Sequence, residues 1–348
     1  MKKIGSSVAR RGLLLTLFVL GVAGAVSILP TYFHSHAGGV KTGTGLFIRT
    51  ESQREDLPNY DIRSDKDAVD RIAAFRSERG RMAAEVADVR DSFVRGEETL
   101  RSKVPTLKVE YNADIRTPEV IAPAVGLKRE SLTGPSGADR SEILRGFLKQ
   151  NTELVGTNDR QVDELKTTAD YTNPDGNLSF VVLNQEINGI PVFRGEVKAG
   201  FSKTGEMFRV INNLAPGLEY SSLSADFGDP ANAVTAAAGH IKHELRQADL
   251  SRNAAESSDI KVTFGQGDWA TTAEKMYFPT EPGDAVPAWR VLIWQPVSAY
   301  YVVVDAQTGT MLWRKNIGED QTQAATYQVY TNPNAMINSA DNPSPLTP

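Results

Sequence analysis

The sequence predicts an α+β protein built from two tandem units, each with one helix on an antiparallel sheet, preceded by a long amphipathic helix. Three observations support this class. Apolar residues recur at a three-four spacing from Asp67 to about Ser102, which is the period of a helix with one buried face. A second such stretch begins near Ser141 and leads into apolar segments separated by turn-forming clusters, as in an antiparallel meander. A similar order of helix and strands begins again at Pro230.

The long N-terminal helix is predicted from seven apolar residues on one side. They are Ile72, Phe75, Met82, Val86, Val89, Phe93 and Leu100. Arg79 and Gly96 occupy the remaining positions of that stripe, and both would weaken it as the seam of a coiled coil. We therefore expect this single helix to pack on the rest of the chain and to end at Pro105.

The first unit is predicted to contain a helix followed by three strands. The helix buries Ile143, Leu144, Phe147 and Leu148, and also Leu154 if it extends that far. The turn clusters Asn-Pro-Asp-Gly, Asn-Gly and Lys-Thr-Gly separate the strands, which are expected at 178–187, 192–201 and 207–211. The helix should cover one face of the resulting sheet.

The middle strand of this unit alternates between apolar and charged residues. Its apolar face is predicted to hold Phe193, Val197, Ala199 and Phe201, and its charged face Arg194, Glu196 and Lys198. An antiparallel sheet commonly keeps one face on the core and the other in water. The charged face is therefore either a solvated surface or a face available to a partner.

The turn before this strand has the composition of a tight hairpin. Asn188 and Gly189 can adopt the positive backbone angles that a two-residue hairpin needs. Pro191 lies at the start of the next strand, where a missing N–H donor is tolerated.

The second unit repeats this order. A helix is predicted from Pro230 to about Ala248, with Val234, Ala237, Ile241 and Leu245 on its buried stripe. Strands are expected at 261–264, 275–278, 289–295 and 301–305. Residues 202–209 and 306–314 also share a Thr-Gly turn followed by a methionine, which makes an internal duplication plausible.

Composition excludes several classes of protein. The chain has 348 residues, with 38 Lys and Arg against 43 Asp and Glu and a formal charge of -5. It carries no basic stripe with interleaved aromatic residues, so nucleic acid is not an expected partner. It also has no cysteine, which excludes disulfides, thiolate zinc sites and cysteine nucleophiles.

The N-terminal residues have the order of an export leader. Basic residues precede an apolar run from Leu13 and a small-residue site at Ala23-Gly24-Ala25, so we expect a signal peptide at 1–25 and a secreted or periplasmic protein. The alternative is an uncleaved signal anchor, because residues 12–29 approach the length that spans a bilayer; only then would the chain contact a membrane. Residues 26–63 are predicted to be a linker, and residues 318–348 a polar, Pro-rich linker or a truncated end.

Residues that usually support catalysis are sparse. His240 and His243 would share one helix face, but they lack a third ligand and do not form a His-Glu-x-x-His motif, so we expect a solvated surface there. His34 and His36 lie in the predicted linker. Ser136 lacks the strand-to-helix setting of a nucleophile elbow, and Glu97-Glu98 lies on exposed helix sequence. We therefore predict no catalytic, cofactor-binding or metal-binding residue in this chain.

One stretch resembles a known family. The segment NLSFVVLNQEINGIPVFRGEV, with the preceding ILRGFLKQNTELVG and DYTNPDGN, is similar to the propeptide region shared by fungalysin and thermolysin-type zinc metallopeptidases. The residues that carry the motif are Gln185, Asn188, Gly189, Pro191, Val192, Phe193 and Gly195, with Ile187 and Ile190 at its hydrophobic positions. The second unit resembles the adjoining PepSY-type module, which has a cystatin-like fold of one helix on a sheet, and LPNYDIRSDK resembles the start of bacterial fungalysin-like precursors.

The resemblance implies a secreted zymogen whose pro-region assists folding of the catalytic domain, inhibits it and is then removed. It divides the chain into a helical pro-segment with short strands (64–125), a propeptide domain (126–218) and a PepSY-like domain (228–317). Zinc is expected only in a catalytic domain, which this chain lacks because it has no His-Glu-x-x-His. Two functions remain open: a pro-region separated from its catalytic half, which the polar ending favours, and a stand-alone module that restrains a peptidase in trans. In both, the partner is a fungalysin-like or thermolysin-like catalytic domain.

Overall fold

The computed structural model describes residues 57–126, 130–295 and 298–318. The predicted signal peptide, most of the predicted linker, His34, His36 and the residues beyond 318 lie outside these ranges. The helices are α1 (Val69–Glu78), α2 (Ala83–Lys103), α3 (Arg140–Gln150), α4 (Thr152–Val155), α5 (Asp159–Glu164) and α6 (Pro230–His240). The strands are β1 (Tyr60–Asp61), β2 (Leu107–Tyr111), β3 (Pro118–Pro123), β4 (Lys166–Thr172), β5 (Leu178–Ile187), β6 (Ile190–Ser202), β7 (Met207–Asn212), β8 (Lys261–Phe264), β9 (Thr271–Glu281), β10 (Asp284–Trp294), β11 (Ala299–Asp305) and β12 (Met311–Asn316). The fold is mixed α+β, as predicted, and it is mostly sheet.

The described strands form one continuous sheet with two halves. The first half has the order β4-β5-β6-β7-β3-β2, and the second half has the order β1-β12-β11-β10-β9, with β8 also paired to β9. Neighbouring strands are antiparallel within each half. The halves meet where β6 and β9 run parallel, at the pair Val192 and Tyr277. One long strand, β6, therefore belongs to both halves.

Three hydrophobic cores lie against this sheet. The α3 core includes Leu144, Leu148, Val181, Leu183, Val197, Ala199, Phe201 and Val210. The α6 core includes Val192, Val234, Ala237, Tyr277, Trp289, Val291, Val302 and Val304. The α1 core includes Ile62, Phe75, Phe193, Met276, Phe278, Val286, Val303 and Leu312. The second half of the sheet is therefore packed on both faces, by α6 on one and α1 on the other.

The long N-terminal helix predicted from one apolar stripe is in fact two helices. Gly80 ends α1 with a positive φ of 67°, and the N–H groups of Gly80 and Arg81 donate back to Ser77 and Arg76 in a glycine C-cap. Met82, predicted to be buried, is consequently 64% exposed between the helices. The stripe was continuous in spacing, but the glycine allowed the chain to turn. No helix in the described ranges is long and apolar enough to cross a membrane.

The break lets α1 dock on the turn between β9 and β10. Arg76 makes two hydrogen bonds to Glu281, at 2.8 and 2.9 Å. Arg79 forms a two-pronged pair with Asp284, whose side chain is almost fully buried and also accepts from Thr280. Arg79, predicted to weaken the helix stripe, thus binds α1 to the second half of the sheet.

Gly96 has a packing role that its place in the stripe did not reveal. A β-carbon at this position would lie 2.4 Å from the backbone nitrogen of Leu154, which is closer than real contacts allow. Gly96 therefore lets α2 approach the backbone of α4. Leu154 is buried as predicted, but it belongs to this separate short helix and not to α3.

The helix predicted from Pro230 to Ala248 ends early, at His240. Lys242 adopts a positive φ of 53°. The N–H groups of Lys242 and His243 donate to Gly239 and Ala238, which closes the last turn and directs the chain away from the helix. A lysine at this position gave no stop signal in the sequence, because glycine is the usual residue there.

The predicted linker ends before residue 63. Tyr60 and Asp61 pair with Arg314 and Trp313 of β12, and Ile62 is fully buried. Strand β4 was not predicted, because this edge strand is exposed on both faces and shows no alternation. Both errors concern short or exposed strands whose partners are distant or polar.

Candidate functional site

The family-like motif begins with the hairpin that joins β5 to β6. Asn188 and Gly189 have φ values of 53° and 79°, and Ile187 pairs with Ile190 across the turn. This is the two-residue hairpin that the sequence predicted. Pro191 is exposed and opposes Glu186 just after the turn.

Beyond the turn, β6 contains a large β-bulge. Pairing passes from Glu186 and Pro191 directly to Asn184 and Glu196, so Gln185 alone faces the four residues from Val192 to Gly195. The chain is closely packed at Gly195, because a β-carbon there would lie 2.8 Å from Cβ of Val192 and 3.1 Å from Cβ of Gln185. Glycine at position 195 is thus required by close approach of the chain.

The Gln185 side chain binds the segment that leaves β7. Its Oε1 accepts a hydrogen bond from the Ala215 N–H at 2.8 Å, and its Nε2 donates to the Ala215 carbonyl at 3.2 Å and to the Tyr220 hydroxyl at 2.9 Å. Gln185 is 2% exposed. This buried amide therefore fixes the connection between the first and second halves of the sheet.

Val192 and Phe193 enter two different cores. Val192 pairs with Tyr277 in the α6 core, whereas the Phe193 ring lies 4.9 Å from that of Phe278 and 5.2 Å from that of Trp313 in the α1 core. The prediction that Phe193 shares a face with Val197 is wrong, because the bulge reverses the alternation between them. The motif is thus the junction of the two halves.

Arg194 follows with an unusual backbone. Its φ is 55°, although non-glycine residues other than Asn and Asp rarely adopt this left-handed conformation, which costs about 1–2 kcal/mol. The guanidinium lies 5.3 Å from the ring centroids of both Phe193 and Trp313. Its Nη1 is 3.6 Å from Oδ2 of Asp114, and the side chain is 54% exposed.

A second arginine lies buried beneath this site. Arg63 donates to both carboxylate oxygens of Asp61, at 2.9 and 2.7 Å, and to Asp114 at 2.8 Å. Its guanidinium lies over the Phe278 ring at 4.8 Å. Asp114 therefore contacts two arginines and is held more closely by Arg63 than by Arg194.

Glu196 and Lys198 lie on the open face of the first half of the sheet, as predicted. Their side chains pair with each other at 2.7 Å and are half exposed. The surrounding face is not simply polar, because the paired positions beside Lys198 are the half-buried Val182 and Ile211, and Phe180 lies further along β5. Whether this face contacts a partner stays a prediction.

Several residues of the junction were not identified from the sequence. Arg63, Asp114, Tyr220 and Trp313 carry no local signal that relates them to the motif. Each reaches it through contacts with residues far away in the chain. Burial raises the pKa of the Tyr220 hydroxyl, and the hydrogen bond from Gln185 opposes that effect in part.

The histidine pair is not arranged as the sequence suggested. His240 is the last residue of α6, and its Nε2 lies 2.9 Å from the carbonyl oxygen of Gly309. His243 lies beyond the end of the helix, so the two residues do not share a helix face. Nowhere in the described ranges do three His, Asp or Glu side chains come together as metal ligands would.

Comparison with known proteins bears on the same stretch. Residues 163–214 match the family described as the Fungalysin/Thermolysin Propeptide Motif, and this range includes Gln185 to Gly195. Among solved structures, the Bacillus megaterium YpeB C-terminal domain matches at 12% identity over 64% of this chain and 95% of that chain, with a TM-score of 0.25. No curated protein matches the chain.

The family match concerns a propeptide motif and not a catalytic domain. It indicates a propeptide-like role toward thermolysin-type or fungalysin-type peptidases, and association with their catalytic domains.

Proposed function

We propose that this chain is an exported propeptide-type module that binds a fungalysin-like zinc metallopeptidase domain, inhibits it and assists its folding. The observation that carries the proposal is the match of residues 163–214 to the propeptide motif. Zinc belongs to the partner. The second unit acts as the adjoining PepSY-like module, and the leader directs the protein to a secreted or periplasmic location.

The geometry of the motif supports a binding role through rigidity. Gln185, Gly195 and the paired cores on either side of β6 fix the bulge and the strand that follows it. A surface held in one conformation loses little entropy when a partner binds. The junction thus supports a preformed binding surface on β6.

The open face of the first half of the sheet is the contact surface that we propose. It combines the charged side chains of Glu196 and Lys198 with half-buried apolar ones such as Val182 and Ile211. Interfaces commonly have an apolar centre and a polar rim. The α3 core lies on the opposite face, and among the described residues this face keeps partly exposed side chains.

The direct test is inhibition. Purified chain lacking residues 1–25 is added to thermolysin and to a fungalysin-type catalytic domain, and peptidase activity is titrated. We expect saturable inhibition of at least one of them and a higher yield when that domain is refolded with the chain present. Full activity of both at saturating chain, with the chain shown to be folded, would refute inhibition.

A second arm distinguishes a pro-region from a stand-alone inhibitor. The same catalytic domain is assayed when fused after residue 348 and when supplied separately. A pro-region should act much more strongly in the fusion, because linkage raises the effective concentration. A stand-alone module should already inhibit fully when supplied separately at low concentration, so that the fusion adds little.

A further inference from the structure

The backbone of Arg194 is unusual for a residue other than glycine. Left-handed φ values are tolerated best by glycine, and the first position of a bulge commonly holds glycine for that reason. Here that conformation is occupied by an arginine, with φ of 55°, and glycine follows only at position 195. A long charged side chain is therefore held at a position where its backbone is disfavoured.

The contacts of this side chain within the fold are weak ones. Its ion pair with Asp114, at 3.6 Å, is the longer of the two that Asp114 makes, because Arg63 holds the same oxygen at 2.8 Å. Exposed ion pairs contribute little to stability. Among the described residues, the Arg194 guanidinium makes no hydrogen bond that meets normal geometry.

The aromatic rings instead orient the guanidinium. Phe193 and Trp313 both lie 5.3 Å from its central carbon. Contacts with ring faces use no N–H donor of the guanidinium in a hydrogen bond, and the fork of these donors matches the two oxygens of a carboxylate. Beyond its long ion pair with Asp114, the arginine therefore has donors available for a further acidic group.

The neighbouring charges lack these properties. Glu196 and Lys198 pair with each other at 2.7 Å from regular strand positions. Their mutual neutralisation makes them suitable for a rim and poor candidates for a specific anchor. Arg194 is the exposed charge of the motif that combines unused donors with a costly conformation.

We propose that Arg194 is the specific anchor of this module and binds a carboxylate on the surface of the peptidase domain. This inference rests on the proposed function and adds the chemistry of the contact. Arg194 acts as a binding residue, while Phe193, Trp313 and Asp114 position it. The inhibitory contact thus includes the edge of the motif itself, beside the open face of β6.

The test separates binding from folding with a change that relieves the backbone. Arg194→Gly removes the side chain and suits the left-handed conformation, so the melting temperature should stay equal or rise. Its inhibition constant toward the catalytic domain that the wild type inhibits should rise at least tenfold. Arg194→Lys should give an intermediate value, because it keeps the charge and loses the fork.

Lys242→Gly is the matched control. Lys242 is also basic, exposed and left-handed, with φ of 53°, but it follows α6 away from the motif. This variant should fold and inhibit like the wild type. Arg194→Asn, which also tolerates the conformation, replaces Arg194→Gly if the latter fails to fold.

The outcomes are distinct. Unchanged inhibition by folded Arg194→Gly would overturn the anchor and leave the proposed function in place. A lower melting temperature with a proportionate loss of inhibition would show a structural role and also overturn it. Absence of inhibition by the wild type would instead refute the proposed function.

Discussion

The side chain of Gln185 satisfies both polar groups of the Ala215 backbone, accepting from its N–H at 2.8 Å and donating to its carbonyl at 3.2 Å. A glutamine can imitate a neighbouring strand in this way, because its amide carries one acceptor and two donors. The chain that leaves β7 is therefore held as if it were paired in the sheet.

Replacement of Gln185 by Leu should destabilise the protein by about 2–3 kcal/mol, because the N–H and carbonyl of Ala215 would remain buried without partners. Urea denaturation measures the difference. Gln307→Leu is the control, since Gln307 is exposed and makes one bond to a carbonyl; its effect should stay below about 0.5 kcal/mol. Equal effects would contradict a special role for Gln185.

Gly96→Ala should destabilise the protein by about 2–3 kcal/mol, although alanine is the better helix former, because overpacking forces α2 and α4 apart. Gly146→Ala, in the middle of α3 with open space around it, should stabilise by about 0.5–1 kcal/mol. Thermal unfolding of both variants tests the pair. If both substitutions changed the stability in the same direction, α2 would be free to move away from α4.

Arg79→Ala should cost about 3 kcal/mol, because it leaves the buried carboxylate of Asp284 without its charge partner. The comparison is Arg95→Ala, which breaks a pair with Glu153 whose side chains are more than half exposed, and should cost less than about 1 kcal/mol. Chemical denaturation of each variant gives both values. A small effect of Arg79→Ala would mean that α1 docks through apolar contacts alone.

Alkaline pH should destabilise the fold through tyrosines whose hydroxyl pKa values are raised in the folded protein. Burial is the first cause that raises the pKa values of Tyr60, Tyr111, Tyr220 and Tyr277. A raised folded-state pKa contributes stability that is complete below the unfolded value near 10 and is lost as pH rises through the folded value.

The ultraviolet absorbance of tyrosinate should therefore show a late phase among the ten tyrosines. Tyr220→Phe should reduce the amplitude of that phase. If all tyrosines of the folded protein titrate together near the unfolded pKa, the expectation that the fold raises these pKa values is wrong.

The exported protein should begin near Val26, because the basic, apolar and small-residue segments occur in the order that signal peptidase recognises. N-terminal sequencing of secreted or periplasmic material gives the answer. Replacement of Ala23 and Ala25 by bulky residues should block cleavage and leave the chain on the membrane. Material that keeps Met1 without those changes would support the signal anchor.

Local features of the fold could be predicted from the sequence, and features set by distant contacts could not. The Asn188-Gly189 hairpin depends on two adjacent residues, so its composition was sufficient. The face occupied by Phe193 depends on Phe278 and Trp313, which are distant in the chain. These residues contact Phe193 because β6 pairs with β9. The partner of β1 is equally remote, which is why residues near Tyr60 read as linker.

Charged residues gave the least information about the site. Arg79 lay in a predicted helix stripe, and Arg194 lay in a predicted strand alternation. Each pattern predicted surroundings that differ from those in the structure. Their roles follow from a glycine cap at Gly80 and from a bulge that Gln185 faces alone. Neither a glycine cap nor a bulge repeats at a fixed spacing, so the periodicity of the sequence could not predict where these two side chains lie.

The pairing of β1 with β12 has a consequence for the timing of synthesis. Arg314 donates hydrogen bonds to the Pro58 carbonyl across 256 positions of the chain, so the first described strand cannot complete its contacts until the last has left the ribosome. Closing so long a loop is entropically costly and slow. Ile62 should therefore stay exposed until β12 has been synthesised. A nascent chain halted before β12 should present β1 and Ile62 to chaperones and proteases.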